Sequence, residues 1–283
     1  MLGMGHGPVK GPRAVAPRRL RRVARRTLTL SIVATLVVVA TAVLLLSKPP
    51  ARVAAIRPTT KPSAAEASVP PRIEPADLYT AFGSPRTGTS FGRSVTMTAE
   101  YAGDVILPTG RLVASDAFII DALPFAEAMP PGRHGVSVLV ADFADGDRRV
   151  AAAMVTVAPN EPIRWELDLV AGQDPATLGP DEFFGYGVDS GTGAFTSPEA
   201  TERLRDLTAY EAYSNAVTAG MFPGEQRFGV TVEVEVDPGS GANVVAFSSG
   251  FGDGAYPSFV GRDGEGRLAV ILTDFAVLDA AGA

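Results

Sequence analysis

Beyond residue 95 the apolar and polar positions follow a mostly two-residue rhythm, which predicts a β-rich domain. Two apolar runs, residues 136–140 and 150–157, flank the turn signal Asp145-Gly146-Asp147 and predict a hairpin. Ile163 to Leu169 alternates around Trp165 and Leu167, as a half-buried strand does. Further strands are predicted over residues 230–236, 243–247, 256–260 and 268–273. Asp237-Pro238-Gly239-Ser240-Gly241 and Asp263-Gly264-Glu265-Gly266 punctuate them as turns. Residues 230–236 alternate Val with Glu, so one face should be buried and the other wet. One segment breaks the rhythm. Ser197 suits an N-cap, Pro198 the first helical position, and Glu199 and Glu202 the positive end of the dipole. Leu204, Leu207, Tyr210, Tyr213 and Val217 supply an apolar stripe that ends at Gly220 and Pro223. The expected fold is α+β, mostly antiparallel β and sandwich-like, with one main helix.

A different pattern precedes this domain. Residues 27–47 form an uncharged apolar run of 21 residues, long enough to cross a bilayer as a helix. Eight Lys or Arg and no acidic residue lie before it, between Lys10 and Arg26. Such a flank stays in the cytoplasm, so residues 1–26 are expected as a cytoplasmic tail and the C-terminal domain as extracytoplasmic. The lipid bilayer is then a partner of residues 27–47. The alternative is a signal peptide cleaved near Ala42, at the small residues Ala40-Thr41-Ala42, which would release the domain. The run continuing through Val43-Leu44-Leu45-Leu46 favours the retained anchor. Residues 48–72 carry six prolines and read as a stiff tether reaching roughly 75 Å when extended.

Charge sharpens the division. From residue 67 onward 13 Lys and Arg face 30 Asp and Glu, a net charge of −17, although the whole chain stands at −6. An acidic domain of this kind repels nucleic acid and anionic lipid, which excludes nucleic-acid binding. There is no cysteine, so disulfides, thiolate nucleophiles and Cys-held metals are excluded. The two histidines are His6 in the tail and His134, which follows Pro130-Pro131-Gly132-Arg133 and reads as a surface or turn residue. Residues 73–283 are long enough for one domain with its own core.

Two Gly-rich segments remain as candidate chemistry: residues 184–195, which include Gly187-Val188-Asp189-Ser190-Gly191-Thr192-Gly193, and residues 247–257, which include Phe251-Gly252-Asp253-Gly254-Ala255-Tyr256-Pro257. With Gly110-Arg111-Leu112-Val113-Ala114-Ser115-Asp116, Pro131-Gly132, Arg149-Val150-Ala151 and Thr273-Asp274-Phe275, they resemble the family catalogued as domain of unknown function 4241. The resemblance covers about residues 111–283 and implies a shared fold but no activity.

The residues themselves admit two readings. Asp189, Ser190, Ser248, Asp253 and Tyr256 could converge on a polar ligand, or offer oxygen to a hard cation such as Ca²⁺. Neither acidic turn fits the 12-residue calcium loop, and no other cofactor is expected. Alternatively the glycines make tight turns, with Asp189 and Ser190 bonding local backbone. Val188-Asp189-Ser190-Gly191-Thr192 also resembles the aspartic-protease signature, whose chemistry needs a second carboxylate beside Asp189, from Asp116, Asp253 or Asp274. The expected function is a tethered, non-catalytic module binding a protein or polar cell-envelope ligand. An Asp-dependent hydrolase and a passive envelope component are the alternatives.

Overall fold

The computed structural model describes residues 73–179, 182–224 and 230–280. The expected tail, membrane helix and tether, residues 1–72, lie outside them. Among the described residues no helix is long and apolar enough to cross a membrane.

The fold is mostly antiparallel β with a curled, half-barrel sheet and few helices. Seven strands form the larger sheet, in the order β1 (Arg86–Ser90), β2 (Arg93–Leu107), β4 (Gly132–Phe143), β5 (Arg148–Thr156), β13 (Leu268–Asp274), β12 (Ser258–Arg262) and β6 (Arg164–Leu167). A second sheet runs β3 (Val113–Asp116), β8 (Thr192–Thr196), β10 (Ala242–Ser248) and β9 (Thr231–Asp237), and β7 (Tyr186–Val188) pairs with β11 (Gly254–Tyr256). The helices are α1 (Pro75–Ala81), α2 (Pro198–Arg203) and α3 (Leu207–Met221).

Strands β8 and β10 show how the layers join. Phe195, Val245 and Phe247 point into the core shared with the larger sheet, where the Phe195 and Phe247 rings meet edge to face at 4.9 Å. Ala194, Val244 and Ala246, one residue out of step, face Tyr213, Val217 and Met221 of α3. The period-two alternation thus serves two cores, because both faces of these strands are covered. The small residues on the helix side let α3 approach closely.

The predicted single helix is two. Ser197 caps α2 through Ala200 N–H, as expected, but Asp206 starts a new helix by accepting from Ala209 N–H at 2.9 Å. Leu207, placed on the apolar stripe by the sequence, is exposed at the first position of α3. α1 has no counterpart in the sequence reading. The strand expected from Tyr256 to Val260 is split at Pro257, which has no N–H to continue a ladder, so β11 and β12 join different sheets. His134, expected at the surface, lies buried within β4 and donates its Nε2–H to the Pro130 carbonyl at 2.7 Å.

The longest strand, β2, carries a bulge at Ala102, between Tyr101 opposite Ser137 and Gly103 opposite Val136. Gly103 has φ +129° there, and a β-carbon on it would come within 2.4 Å of Glu233 Oε2. Beyond Met97 no strand among the described residues continues β1 along that edge of β2, and Asn243 of β10 takes up backbone groups there. Its Oδ1 accepts from Ile106 N–H at 2.8 Å, and its Nδ2 donates to the Asp104 carbonyl at 2.6 Å and to Glu233 Oε1 at 2.9 Å. One amide side chain therefore stitches the two sheets together.

Candidate functional site

The two Gly-rich segments meet. Tyr186, Gly187 and Val188 pair with Tyr256, Ala255 and Gly254 across β7 and β11, and Thr192 lies opposite Ser248 across β8 and β10. Ser249 N–H then donates to the Gly191 carbonyl at 3.1 Å, joining the turns themselves. Gly250, at φ +52°, lies so close to Phe275 that a β-carbon would come within 2.6 Å of its carbonyl oxygen. Tyr256 is buried beneath the second turn, and its hydroxyl donates to the Gly252 carbonyl at 2.7 Å. Burial raises its pKa, which keeps it a donor.

The first turn hangs on Asp116, at the end of β3 and only 3 % exposed. Its Oδ2 accepts from the backbone N–H groups of Asp189 (2.8 Å) and Ser190 (2.7 Å). Oδ1 accepts from those of Phe118 (2.7 Å) and Ile119 (3.2 Å). Four donors converge on one carboxylate, which fixes the Asp189-Ser190 turn relative to β3. The Asp189 side chain itself is exposed, as is Asp253. Ser190 is half-buried, and its Oγ accepts from Thr192 N–H at 3.3 Å. Asp274 Oδ1 accepts from Ala276 N–H at 2.8 Å. Among the described residues no group of three or more His, Asp or Glu is placed to hold a metal ion.

Because Asp116 holds the Asp189 backbone and not its carboxylate, the Asp189→Asn variant should melt within about 1 °C of the parent. A thermal unfolding comparison checks this, and a loss of several degrees would mean that the Asp189 carboxylate itself holds the turn.

Where the segments meet they leave a cavity of about 280 Å³, lined by Ser190, Thr192, Ser248, Gly252, Arg149 and Met221 among others. Of the five residues predicted as ligand groups, Ser190 and Ser248 line it. Asp189 and Asp253 lie outside its lining, and Tyr256 supports the turn from below. Beside the cavity stands an aromatic cluster that the sequence reading missed. Phe251 is 47 % and Phe91 59 % exposed, and their rings meet edge to face at 5.4 Å. The Arg149 guanidinium lies 5.3 Å from the Phe251 ring centroid, and that of Arg93 4.6 Å from Phe143. Arg149 is held by Asp147 at 2.9 Å and Arg93 by Asp145 at 2.7 Å, so the hairpin turn between β4 and β5 braces both cations.

Phe91 has φ +49° and Gly92 φ +71°, the conformation of a two-residue hairpin turn between β1 and β2. A bulky residue is disfavoured there, and the turn is secured by Asp279, whose carboxylate accepts from the N–H groups of Phe91 (2.8 Å) and Gly92 (2.9 Å). The signal for these aromatics was present as residue identity alone. Nothing local separates an exposed Phe from the buried Phe247 or Phe275.

No curated protein and no solved structure matches this chain. A family model described as "Protein of unknown function (DUF4241)" matches residues 105–273, which takes in Asp116, both Gly-rich segments and Phe251 but not Phe91. The match spans more than half of the 283 residues, and the chain belongs to that family.

Proposed function

We propose that this chain is a membrane-anchored, extracytoplasmic binding module that takes a protein or polar cell-envelope ligand at the Gly-rich cavity and its aromatic rim. The observation that carries the reading is the exposed Phe91–Phe251 pair beside a mostly apolar cavity to whose wall Ser190, Thr192 and Ser248 contribute. Aromatic residues with arginine beside them are the typical anchors of recognition surfaces. Phe91 also keeps a disfavoured backbone conformation while most of its side chain remains in water, so folding gains little from it. Of the three carboxylates considered beside Asp189, Asp116 and Asp274 accept from backbone N–H groups, and Asp253, one residue from the Gly254–Val188 pair, is exposed, which supports binding over hydrolysis. Anchoring rests on the 21-residue apolar run behind eight basic residues.

A photo-crosslinking residue placed at position 251 of the full chain, in its native membrane, should give a discrete adduct. The same residue at Ile163, 71 % exposed on the β6 side, should give none. Equal labelling from both positions would end the reading of a specific site. Membrane attachment has its own check. The full chain should remain in the membrane pellet after alkaline carbonate washing, and full release would show that the anchor is not retained.

A further inference from the structure

Asp168 lies just beyond β6, 4 % exposed, and its Oδ2 has no hydrogen-bond partner. Three charged groups act on it through their fields. Glu127 comes from the connection between β3 and β4, Glu166 from β6 and Arg262 from β12. Arg262 already serves both neighbours, donating from Nη2 to Glu127 Oε2 at 2.7 Å and from Nε to Glu166 Oε1. A third negative charge would therefore sit buried beside two carboxylates and a single shared guanidinium. Burial pushes the Asp168 carboxyl up to about 8, with Glu127 and Glu166 adding to the rise, and a backbone bond from Leu169 and the charge of Arg262 opposing it.

The same place is a seam. The segment 121–131 is fastened to the strand edge by Ala126 N–H donating to the Leu169 carbonyl at 2.7 Å and by a bridge between Phe125 and Val170. Phe125 is buried there, and Arg111 donates to its carbonyl at 2.8 Å. At its start this connection leaves Asp116, Ala117 and Phe118, whose carbonyls at 117 and 118 accept from Tyr213 (2.6 Å) and Tyr210 (2.9 Å).

We propose that Asp168 is a proton-dependent latch: its neutral acid holds the segment 121–131 against the β6–β12 edge, and the segment opens with release of that proton. The sign follows from linkage. In the open form Asp168 meets water and ionises with an ordinary carboxylate value near 4, while the closed form keeps its proton to about 8. The closed form is fully favoured below about pH 4 and loses about tenfold per pH unit up to about pH 8, above which the population levels off.

Amide exchange of the full chain in detergent, followed from pH 5 to 9, tests this. After correction for intrinsic exchange, amides of residues 121–131 should lose protection about tenfold per pH unit to about pH 8 and then level off. The strands β4 and β5 should stay protected at every pH. Asp168→Asn should abolish the slope. A flat profile in the parent, or an equal slope in β4 and β5, would overturn the latch, the second because the proton would then be tied to global unfolding. If Asp168→Asn does not fold, a carbon-13 titration of the Asp168 carboxyl in the parent decides: a midpoint above 7 supports the latch and one below 5 ends it. None of these outcomes depends on a ligand, so the latch stands or falls separately from the proposed binding function.

Discussion

Replacing Asp116 by Ala should lower the melting temperature by about 10 °C. The variant removes a buried carboxylate that accepts from four backbone N–H groups, at Phe118, Ile119, Asp189 and Ser190. Hydrogen bonds to a charged group contribute about 1.5–3 kcal/mol each, and water recovers part of that loss for the exposed Asp189 turn. A net loss of about 4 kcal/mol is expected, which for a domain of this size corresponds to the stated shift. Asp116→Asn should fall between parent and Ala, because one amide oxygen still accepts while the amide nitrogen faces two donors. Exchange of the Asp189 and Ser190 amides should accelerate in both. Thermal unfolding with peptide-level exchange checks the claim, and a shift below 2 °C for Asp116→Ala would show that the turn is held elsewhere.

Asn243 should be nearly as sensitive, with a distinctive response to pH. Asn243→Ala leaves Ile106 N–H and the Asp104 carbonyl without their partner at a site where Asn243 is 1 % exposed, at a cost of about 2–4 kcal/mol. Asn243→Asp is the sharper test. Its shape is unchanged, but the nitrogen that donates to the Asp104 carbonyl and Glu233 becomes an oxygen, so two carboxylates and a carbonyl face one another. At pH 7 this variant should be less stable than Asn243→Ala. At pH 4 the new acid can keep its proton, donate in place of the amide and recover most of the loss. Unfolding midpoints of both variants at the two pH values check this. An Asp variant indifferent to pH would mean that the amide does not join the sheets.

How much of this was legible in the sequence depends on how local each cause is. The β4–β5 hairpin announced itself because two apolar runs flank Asp145-Gly146-Asp147, and the structure closes that turn with Phe143 N–H to the Asp147 carbonyl at 2.8 Å. The Val/Glu alternation of β9 was equally readable, since one face is wet. Strand β8 was not, because Thr192 to Thr196 is buried on both faces and its Gly and Ala reflect the approach of other elements. Strand β2 escaped notice because the bulge at Ala102 interrupts its rhythm, and Asn243, which bonds its far end at Ile106, is 137 residues away. The helix break was written in Asp206, a capping residue that the apolar stripe outweighed. At the site the Gly-rich segments could be found, but the division of labour could not. Asp189 looked like the functional carboxylate, while Asp116, 73 residues away, holds the turn. Asp168 carried no local mark at all, since its burial and its neighbours come from three separate elements.

The strand order has a consequence for how the chain is made. β13, residues 268–274, lies between β5 and β12, so the larger sheet is in two pieces until nearly the last of the described residues has been added. At typical synthesis rates the interval from the end of β5 to the end of β13 is roughly 10 s. Throughout it the unpaired edge of β5, with the apolar run Val150 to Val155, is open to any other strand. Ribosomes spaced closely on one message would present several such edges side by side, so cover of this strand during synthesis should raise the yield of folded protein.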